Sequence, residues 1–133
     1  MVGALAARPD ESLDQALALA VQEAAQRYGA SVDMELASGI ALSPREKEAV
    51  IRIASEAVAN AAQHSGAEVL RIYLERADAG MRLGVEDDGS GFDEAEPRRG
   101  FGLVTMKDRA EALGGKLRVD TRRGAGTKVE LEL

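Results

Sequence analysis

The chain has 133 residues, which predicts one domain that is large enough to bury a substantial core. Its net charge of −6 argues against a nucleic-acid partner and an anionic membrane surface, and the absence of cysteine excludes disulfides and thiolate metal sites. It has no apolar run near the ~20 residues of a membrane span and no signal-peptide pattern, and the lack of cysteine fits a reducing cytoplasm. We therefore expect a cytoplasmic domain that makes no direct membrane contact itself, with membrane anchoring of the full-length protein left open. We interpret residues 1–11 as a flexible N-terminal segment and residues 12–133 as the folded domain.

The first predicted elements are a helix and a strand. Ser12 followed by Gln15 is a capping-box pattern, and Gly29 supplies a helix stop. Between them, apolar residues recur at helical spacing and indicate a face that packs on a core: Leu13, Ala16, Leu17, Ala20, Val21 and Ala24. Apolar and polar residues then alternate over 31–36, which predicts a half-buried strand.

A second helix is predicted between Pro44 and Gly66. Ser43 and Glu46 form another capping box, and Pro44 stands at the first helical position. The predicted buried positions of this helix are Val50, Ile53, Ala54, Ala57, Val58 and Ala61.

One flank of that buried side carries Glu56, Asn60 and His64, each four residues from the last. Four residues advance an α-helix by about 400°, so these side chains form one stripe. A stripe of this kind is either a solvated helix face, the more usual outcome for an arbitrary helix, or part of a site. The helix alone does not decide between the two.

The rest of the chain predicts two hairpins separated by a loop and a helix. The predicted elements are strands around 70–74 and 81–85, a glycine-punctuated loop at 87–102, a helix from Leu103 to about Leu113, and strands at 116–121 and 127–133. Consecutive strands without intervening helices form hairpins. We therefore predict an α/β (α+β) fold: a two-layer sandwich of a mixed, mostly antiparallel sheet with its helices on one face.

Polar and glycine residues mark the ends of two predicted strands. Asp87, Gly89 and Gly91 form an Asp-x-Gly-x-Gly pattern, which is either a β-turn or a fixed carboxylate beside backbone that a flat ligand can approach. A carboxylate accepts a hydrogen bond from the exocyclic amine of adenine and repels the acceptor that guanine has there. Thr127, after a glycine turn, is either an ordinary strand residue or a second base contact.

A third pattern leads into the last predicted helix. Gly100 and Gly102 immediately precede Leu103, and a helix N-terminus with its free N–H groups favours anions. Four nearby basic residues are either ordinary surface charges or candidate phosphate contacts: Arg98, Arg99, Lys107 and Arg109.

Taken in order, these motifs resemble those of the ATPase superfamily of DNA gyrase, mismatch-repair MutL, heat-shock chaperones and sensor histidine kinases. The likeness extends from about Ser12 to Leu133 and implies a Bergerat-type ATP-binding fold. The segment EAVANAAQHS looks like the asparagine box of histidine kinases. The segment GFGLVTMKDRAEALGG resembles their short-lid subfamily of nitrate-responsive and membrane-fluidity sensors.

The resemblance implies the catalytic, ATP-binding domain of a two-component sensor histidine kinase, with ATP and Mg²⁺ as ligands. By analogy Asn60 holds Mg²⁺, Glu56 acts as the base, and His64 reaches the phosphates or a metal-bound water. Asp87 reads adenine, with Thr127 beside it. The glycines and the first helical residue that bracket the nucleotide lid would be Gly89, Gly91, Gly100, Gly102 and Leu103.

The resemblance also implies partners and leaves one alternative. The γ-phosphoryl group would pass to a histidine on a dimerisation domain, and from there to a response regulator. His64 is not expected to be that acceptor, because it belongs to the nucleotide site and is followed by Ser65 rather than an acid. The alternative is an anti-sigma factor of the same superfamily that phosphorylates a serine on its antagonist.

Overall fold

The computed structural model describes residues 12–64, 66–78, 80–89, 103–121, 124 and 126–133. In this part of the chain the elements are α1 (Leu13–Gln26), β1 (Ser31–Leu36), α2 (Pro44–His64), β2 (Val69–Ala77), β3 (Gly80–Asp87), α3 (Leu103–Ala112), β4 (Lys116–Thr121) and β5 (Thr127–Glu132). The predicted flexible segment, residues 1–11, lies outside the described residues.

The five strands form one mixed sheet in the order β1-β2-β3-β5-β4. β1 and β2 are parallel and are connected through α2, whereas the other three pairings are antiparallel. The three helices pack on one face of this sheet, as the apolar alternation along β2, β3 and β5 requires. The predicted two-layer fold is therefore confirmed.

The predicted capping residues begin α1 and α2. Ser43 and Glu46 bond reciprocally: the Ser43 N–H donates to Glu46 Oε1 at 2.9 Å, and the Glu46 N–H donates to Ser43 Oγ at 3.1 Å. At α1, Ser12 Oγ accepts from the backbone N–H of Gln15 at 3.4 Å. The glycines that follow the three helices all have positive φ: Gly29 (76°), Gly66 (69°) and Gly114 (77°).

The core lies between the helices and the sheet, and α2 is at its centre. All six predicted buried positions of α2 are buried, and Ile51, which was not predicted, is completely buried as well. The difference arises because α2 contacts α1 as well as the sheet and α3, so its buried surface is wider than one stripe. Each buried valine or isoleucine of α2 contributes about 1.5–3 kcal/mol by leaving water.

The opposite face of the sheet is polar. One residue from each strand forms a row across this face, and the charges along the row alternate in sign. In the order β1-β2-β3-β5-β4 the row is Asp33, Arg71, Glu86, Lys128 and Asp120. Opposite charges on neighbouring strands stabilise a sheet by only a few tenths of a kcal/mol up to about 1 kcal/mol each. Exposure to solvent thus accounts for the polar residues on this face, but it does not account for polar residues on the face that packs against the helices.

Candidate functional site

A carboxylate on the helix-facing side of the sheet is fixed at the end of β3. Asp87 pairs with Thr127 in the β3–β5 register and continues the alternation of buried Val85. The Asp87 carboxylate accepts a hydrogen bond from the Gly89 N–H at 2.8 Å and another from the backbone N–H of Thr127. The structure therefore brings together three of the residues predicted to bind the nucleotide: Asp87, Gly89 and Thr127.

This arrangement depends on the close approach of Gly126 to the end of β3. Gly126 has φ +78°, and a Cβ there would overlap the Asp87 carbonyl oxygen and lie 3.2 Å from the Asp88 Cα. Only glycine combines that backbone conformation with the absence of a side chain. The turn glycine before Thr127 is thus also a packing residue of the site.

Thr127 has a hydroxyl partner that the sequence analysis missed. The Oγ1 atoms of Thr121 and Thr127 are 2.8 Å apart, and Thr121 Oγ1 also donates to the Gly126 carbonyl at 3.4 Å. These residues and Asp87 line an open groove of about 320 Å³ at this end of the sheet. Thr121 and Thr127 flank the β4–β5 turn in the sequence, so their pairing follows from the hairpin register.

The surroundings of Asp87 disfavour its charged form. Burial raises the pKa of the Asp87 carboxyl above its ordinary value, and the Asp88 carboxylate raises it further. The two backbone N–H groups, from Gly89 and Thr127, lower it in part. The fold thus maintains a partly desolvated carboxylate that is accessible from the groove.

A second carboxylate, Glu56, lies half-buried on α2, one turn before the half-buried Asn60. Burial raises the pKa of Glu56, and the positive charge of Arg109 opposes that shift. A fully solvated helix face would leave neither side chain half-buried. The stripe therefore lies at the edge of the core, as expected, and its role in a site stays a prediction.

Arg109 was a candidate phosphate contact, and the structure places it against α2. It is half-buried on α3, whereas Lys107 on the same helix is exposed. Arg109 lines a groove of about 430 Å³ between the two helices, together with Pro44, Arg45, Glu48, Ala49 and Arg52. Its charge interaction with Glu56 makes it part of the surroundings of the α2 stripe.

Several predicted site residues are not tested by the structure. His64 is the last residue of α2 and Leu103 the first of α3, and the side chains of both lie outside the described part. Other predicted residues lie wholly outside the described ranges: Gly91, Arg98, Arg99, Gly100 and Gly102. Their roles stay predictions.

Neither a cluster of metal-ligating side chains nor a membrane span is present among the residues that the structure describes. Within those residues no group of three or more His, Cys, Asp or Glu side chains is arranged to hold a metal ion. Among the described helices, none combines the length and apolar character needed to cross a lipid bilayer.

Sequence comparison gives one family for most of this fold. Residues 45–133 match the family described as "Histidine kinase-, DNA gyrase B-, and HSP90-like ATPase". The matched region includes the α2 stripe, the Asp87 loop and the Thr127 strand.

Individual relatives and solved structures agree with this match. The chain is similar to the signal transduction histidine-protein kinase/phosphatase DegS of Bacillus subtilis, with 34% identity over 69% of this chain and 25% of DegS. It is 31% identical to the nitrate/nitrite sensor protein NarX of Escherichia coli, over 90% of this chain and 20% of NarX. The chain thus spans a quarter or less of these two relatives.

Two solved structures have the same fold. The ATP binding domain of PrrB from Mycobacterium tuberculosis aligns with a TM-score of 0.65 and 23% identity, over 86% of this chain and 90% of that one. The histidine kinase domain of the Erythrobacter litoralis EL346 blue-light activated histidine kinase aligns with a TM-score of 0.76 and 23% identity. The alignment covers 95% of this chain and 62% of that one. At these identities the likeness establishes the fold alone.

We predict that Gly126→Ala destabilises the protein more than Gly124→Ala does. Both glycines have φ +78°, but a Cβ at Gly124 would meet nothing within 4 Å. Gly124→Ala should therefore cost only the backbone strain, about 1 kcal/mol, and Gly126→Ala about 1–2 kcal/mol more through overlap with Asp87. Urea unfolding measures both, and equal losses would contradict the packing role of Gly126.

We also predict that Asp87→Asn stabilises the ligand-free protein, increasingly so as the pH rises. A folded-state pKa above the ordinary 3.8 means that the folded protein binds more protons, so the Asp87 contribution to stability falls as the pH rises through that interval. The amide side chain of the variant removes this loss and keeps an oxygen acceptor for the two N–H groups. The measurement is the difference in unfolding free energy between variant and wild type from pH 4 to 7.

The matched control for this titration is Asp78→Asn, the same change in an exposed turn residue. Subtracting its difference from wild type leaves the part of the pH dependence that belongs to the surroundings of Asp87. An Asp87→Asn difference that is flat, or that falls with pH, would show that burial does not control this carboxyl.

Proposed function

Because the chain belongs to the histidine kinase-, DNA gyrase B- and HSP90-like ATPase family, we propose that it is the ATP-binding catalytic domain of a two-component sensor histidine kinase. It would donate the γ-phosphoryl group of ATP to a histidine on the kinase's dimerisation domain, which then serves a response regulator. One observation carries this proposal most directly. Asp87, fixed by two backbone N–H groups, lies on the same side of the sheet as α2 with Glu56 and Asn60.

In this proposal Asp87 selects adenine. Its carboxylate accepts a hydrogen bond from the exocyclic amine, and guanine places an acceptor there instead. Because the Gly89 and Thr127 N–H groups already fix the carboxylate, little conformational entropy is lost when the base binds. The paired Thr121 and Thr127 hydroxyls lie at the same end of the sheet as a second polar contact for the base.

Asn60 is the proposed Mg²⁺ ligand. Its amide oxygen is the hard donor that Mg²⁺ prefers, and Mg²⁺ commonly takes one or two protein ligands and completes its shell with phosphates and water. The side chain is half-buried on α2, one turn from Glu56, so its donor chemistry and its place fit that ion. Bound there, Mg²⁺ would neutralise part of the phosphate charge.

Glu56 is the proposed base. Its carboxylate would accept or orient the imidazole proton of the acceptor histidine during transfer. A carboxyl whose pKa is raised by burial holds a proton better than an exposed one, which brings its proton affinity nearer to that of imidazole. Arg109 opposes this shift and so favours the ionised form that can act as base.

The remaining predicted residues enter the proposal through the family resemblance. Glycines on both sides of the loop would let it move over the nucleotide, and basic residues near α3 would contact the phosphates. These are Gly89, Gly91, Gly100, Gly102 and Leu103 around the loop, and His64, Arg98, Arg99 and Lys107 at the phosphates.

The relatives favour the kinase over the anti-sigma alternative. DegS and NarX carry kinase and sensor names, and both align through most of this chain. The proposed setting is the cytoplasmic part of a sensor kinase.

We expect Asp87→Asn to weaken Mg-ATP binding by about 1.5–3 kcal/mol, the range for a hydrogen bond to a charged group. Wild-type protein should bind ATP more tightly than GTP. Isothermal titration calorimetry measures both, with the exposed turn variant Asp78→Asn as the control. Equal affinity for GTP, or an unchanged affinity in Asp87→Asn, would remove the adenine assignment.

We expect Glu56→Gln to retain Mg-ATP affinity and to lower phosphotransfer by about 10²–10⁴-fold, because a glutamine cannot take up the proton. The assay combines the chain, radiolabelled ATP and a fragment that carries the dimerisation helices of the same kinase. Wild type should give acid-labile phosphohistidine on the fragment and negligible label on the chain itself.

Two results would contradict the proposal, one with the isolated chain and one in the same assay with a candidate antagonist protein added. Stoichiometric label on the isolated chain that disappears in His64→Ala would make His64 the acceptor. Acid-stable label on the serine of a separate antagonist protein would support the anti-sigma alternative. Unaltered turnover in Glu56→Gln would remove only the base assignment.

A further inference from the structure

A basic groove lies between the first half of α2 and α3, beside Glu56. Its lining residues are Pro44, Arg45, Glu48, Ala49, Arg52 and Arg109, and its volume is about 430 Å³. Three guanidinium groups thus share the groove with a single carboxylate, although the whole chain has a net charge of −6. The lining of the groove is therefore positively charged in a protein that is negatively charged overall.

Among the described residues, two carboxylates offset only part of this positive charge: Glu48 beside Arg52, and Glu56, which interacts with Arg109. The Arg52 Nε lies 3.4 Å from Glu48 Oε1, but both side chains are about half exposed, so this pair contributes little. Within the described part of the chain, neither Arg45 nor Arg109 makes an ion pair within 4.0 Å. The groove therefore retains a positive field that attracts a negative partner.

The position of the groove indicates which partner this is. Along α2 the order from C- to N-terminus is Asn60, Glu56, Arg52 and Glu48, each one turn from the next. In the proposed function Asn60 holds the metal and phosphates, and Glu56 acts on the incoming histidine. The acceptor therefore approaches from the N-terminal side of Glu56, where the groove begins.

We propose that this groove is the docking surface for an acidic segment of the dimerisation domain, next to its acceptor histidine; the inference rests on the proposed function. Guanidinium groups bind carboxylates through paired hydrogen bonds, and charge complementarity accelerates encounter and fixes register. Arg45, Arg52 and Arg109 supply the guanidinium groups from two different helices. Docking there places the histidine against Glu56.

The test measures docking without phosphotransfer. The ¹⁵N-labelled chain is titrated with the unlabelled dimerisation fragment at low and at high salt, and NMR gives both the dissociation constant and the amides that shift. We expect shifts around Arg45, Arg52 and Arg109, and affinity that falls with salt. Shifts confined to other surfaces, or no shifts at millimolar fragment, would overturn the proposal.

Two substitutions in the groove should move the affinity in opposite directions. Arg45→Glu should raise the dissociation constant about tenfold at low salt and reduce its salt dependence. An acidic residue in the first turn is favourable for a helix, so this variant should stay folded. Glu48→Gln removes the groove's carboxylate and should lower the dissociation constant.

The matched control is Arg118→Glu, a charge reversal on exposed β4 that lies outside the groove. Its dissociation constant should equal that of wild type. An equal loss in Arg118→Glu, an unchanged constant in Arg45→Glu, or a loss of Mg-ATP affinity in Arg45→Glu would overturn the docking role. Docking that follows the expected pattern without phosphotransfer would count against the proposed function alone.

Discussion

The close approach of Gly126 to the backbone of Asp87 is the constraint on which the candidate site depends. It allows β5 to begin directly beside the end of β3, so that the Thr127 N–H reaches the Asp87 carboxylate. The Gly89 N–H completes the pair of donors, and the hairpin register brings Thr121 to Thr127. The carboxylate is therefore fixed by backbone groups before any ligand is present, and such preorganisation lowers the entropic cost of binding.

The two half-buried carboxylates make this side of the sheet costly for the fold. Burial disfavours the charge of both Asp87 and Glu56, and the compensation by N–H groups or by Arg109 is partial. Selection for stability alone would place amides or apolar residues there. Costs of this kind are typical of functional sites, where a group is retained for its chemistry. On the solvent-facing side of the sheet, by contrast, the charges of the described row alternate in sign and most of these side chains are exposed.

The elements and the fold could be predicted from local signals because each helix has its own start and stop. The reciprocal Ser43–Glu46 cap is an example, since it involves two residues three positions apart. Contacts between elements could not be predicted in this way. The charge interaction of Arg109 with Glu56 depends on how α3 is placed on α2, and the burial of Ile51 depends on where α1 lies. Sequence proximity grouped Lys107 with Arg109, although only Arg109 is half-buried.

Arg109 links the groove to Glu56, and the packing of α3 on the core fixes that link. Met106 and Ala110 of α3 are completely buried one turn apart on the face that packs on the core, and Arg109 lies at the edge of that face. Displacing α3 from the core would expose these residues to water, which for a side chain such as Met106 costs about 1.5–3 kcal/mol. Arg109 is thus held beside α2 by the packing of its own helix. In the proposed kinase, the docking groove and the surroundings of Glu56 are consequently formed before the nucleotide binds.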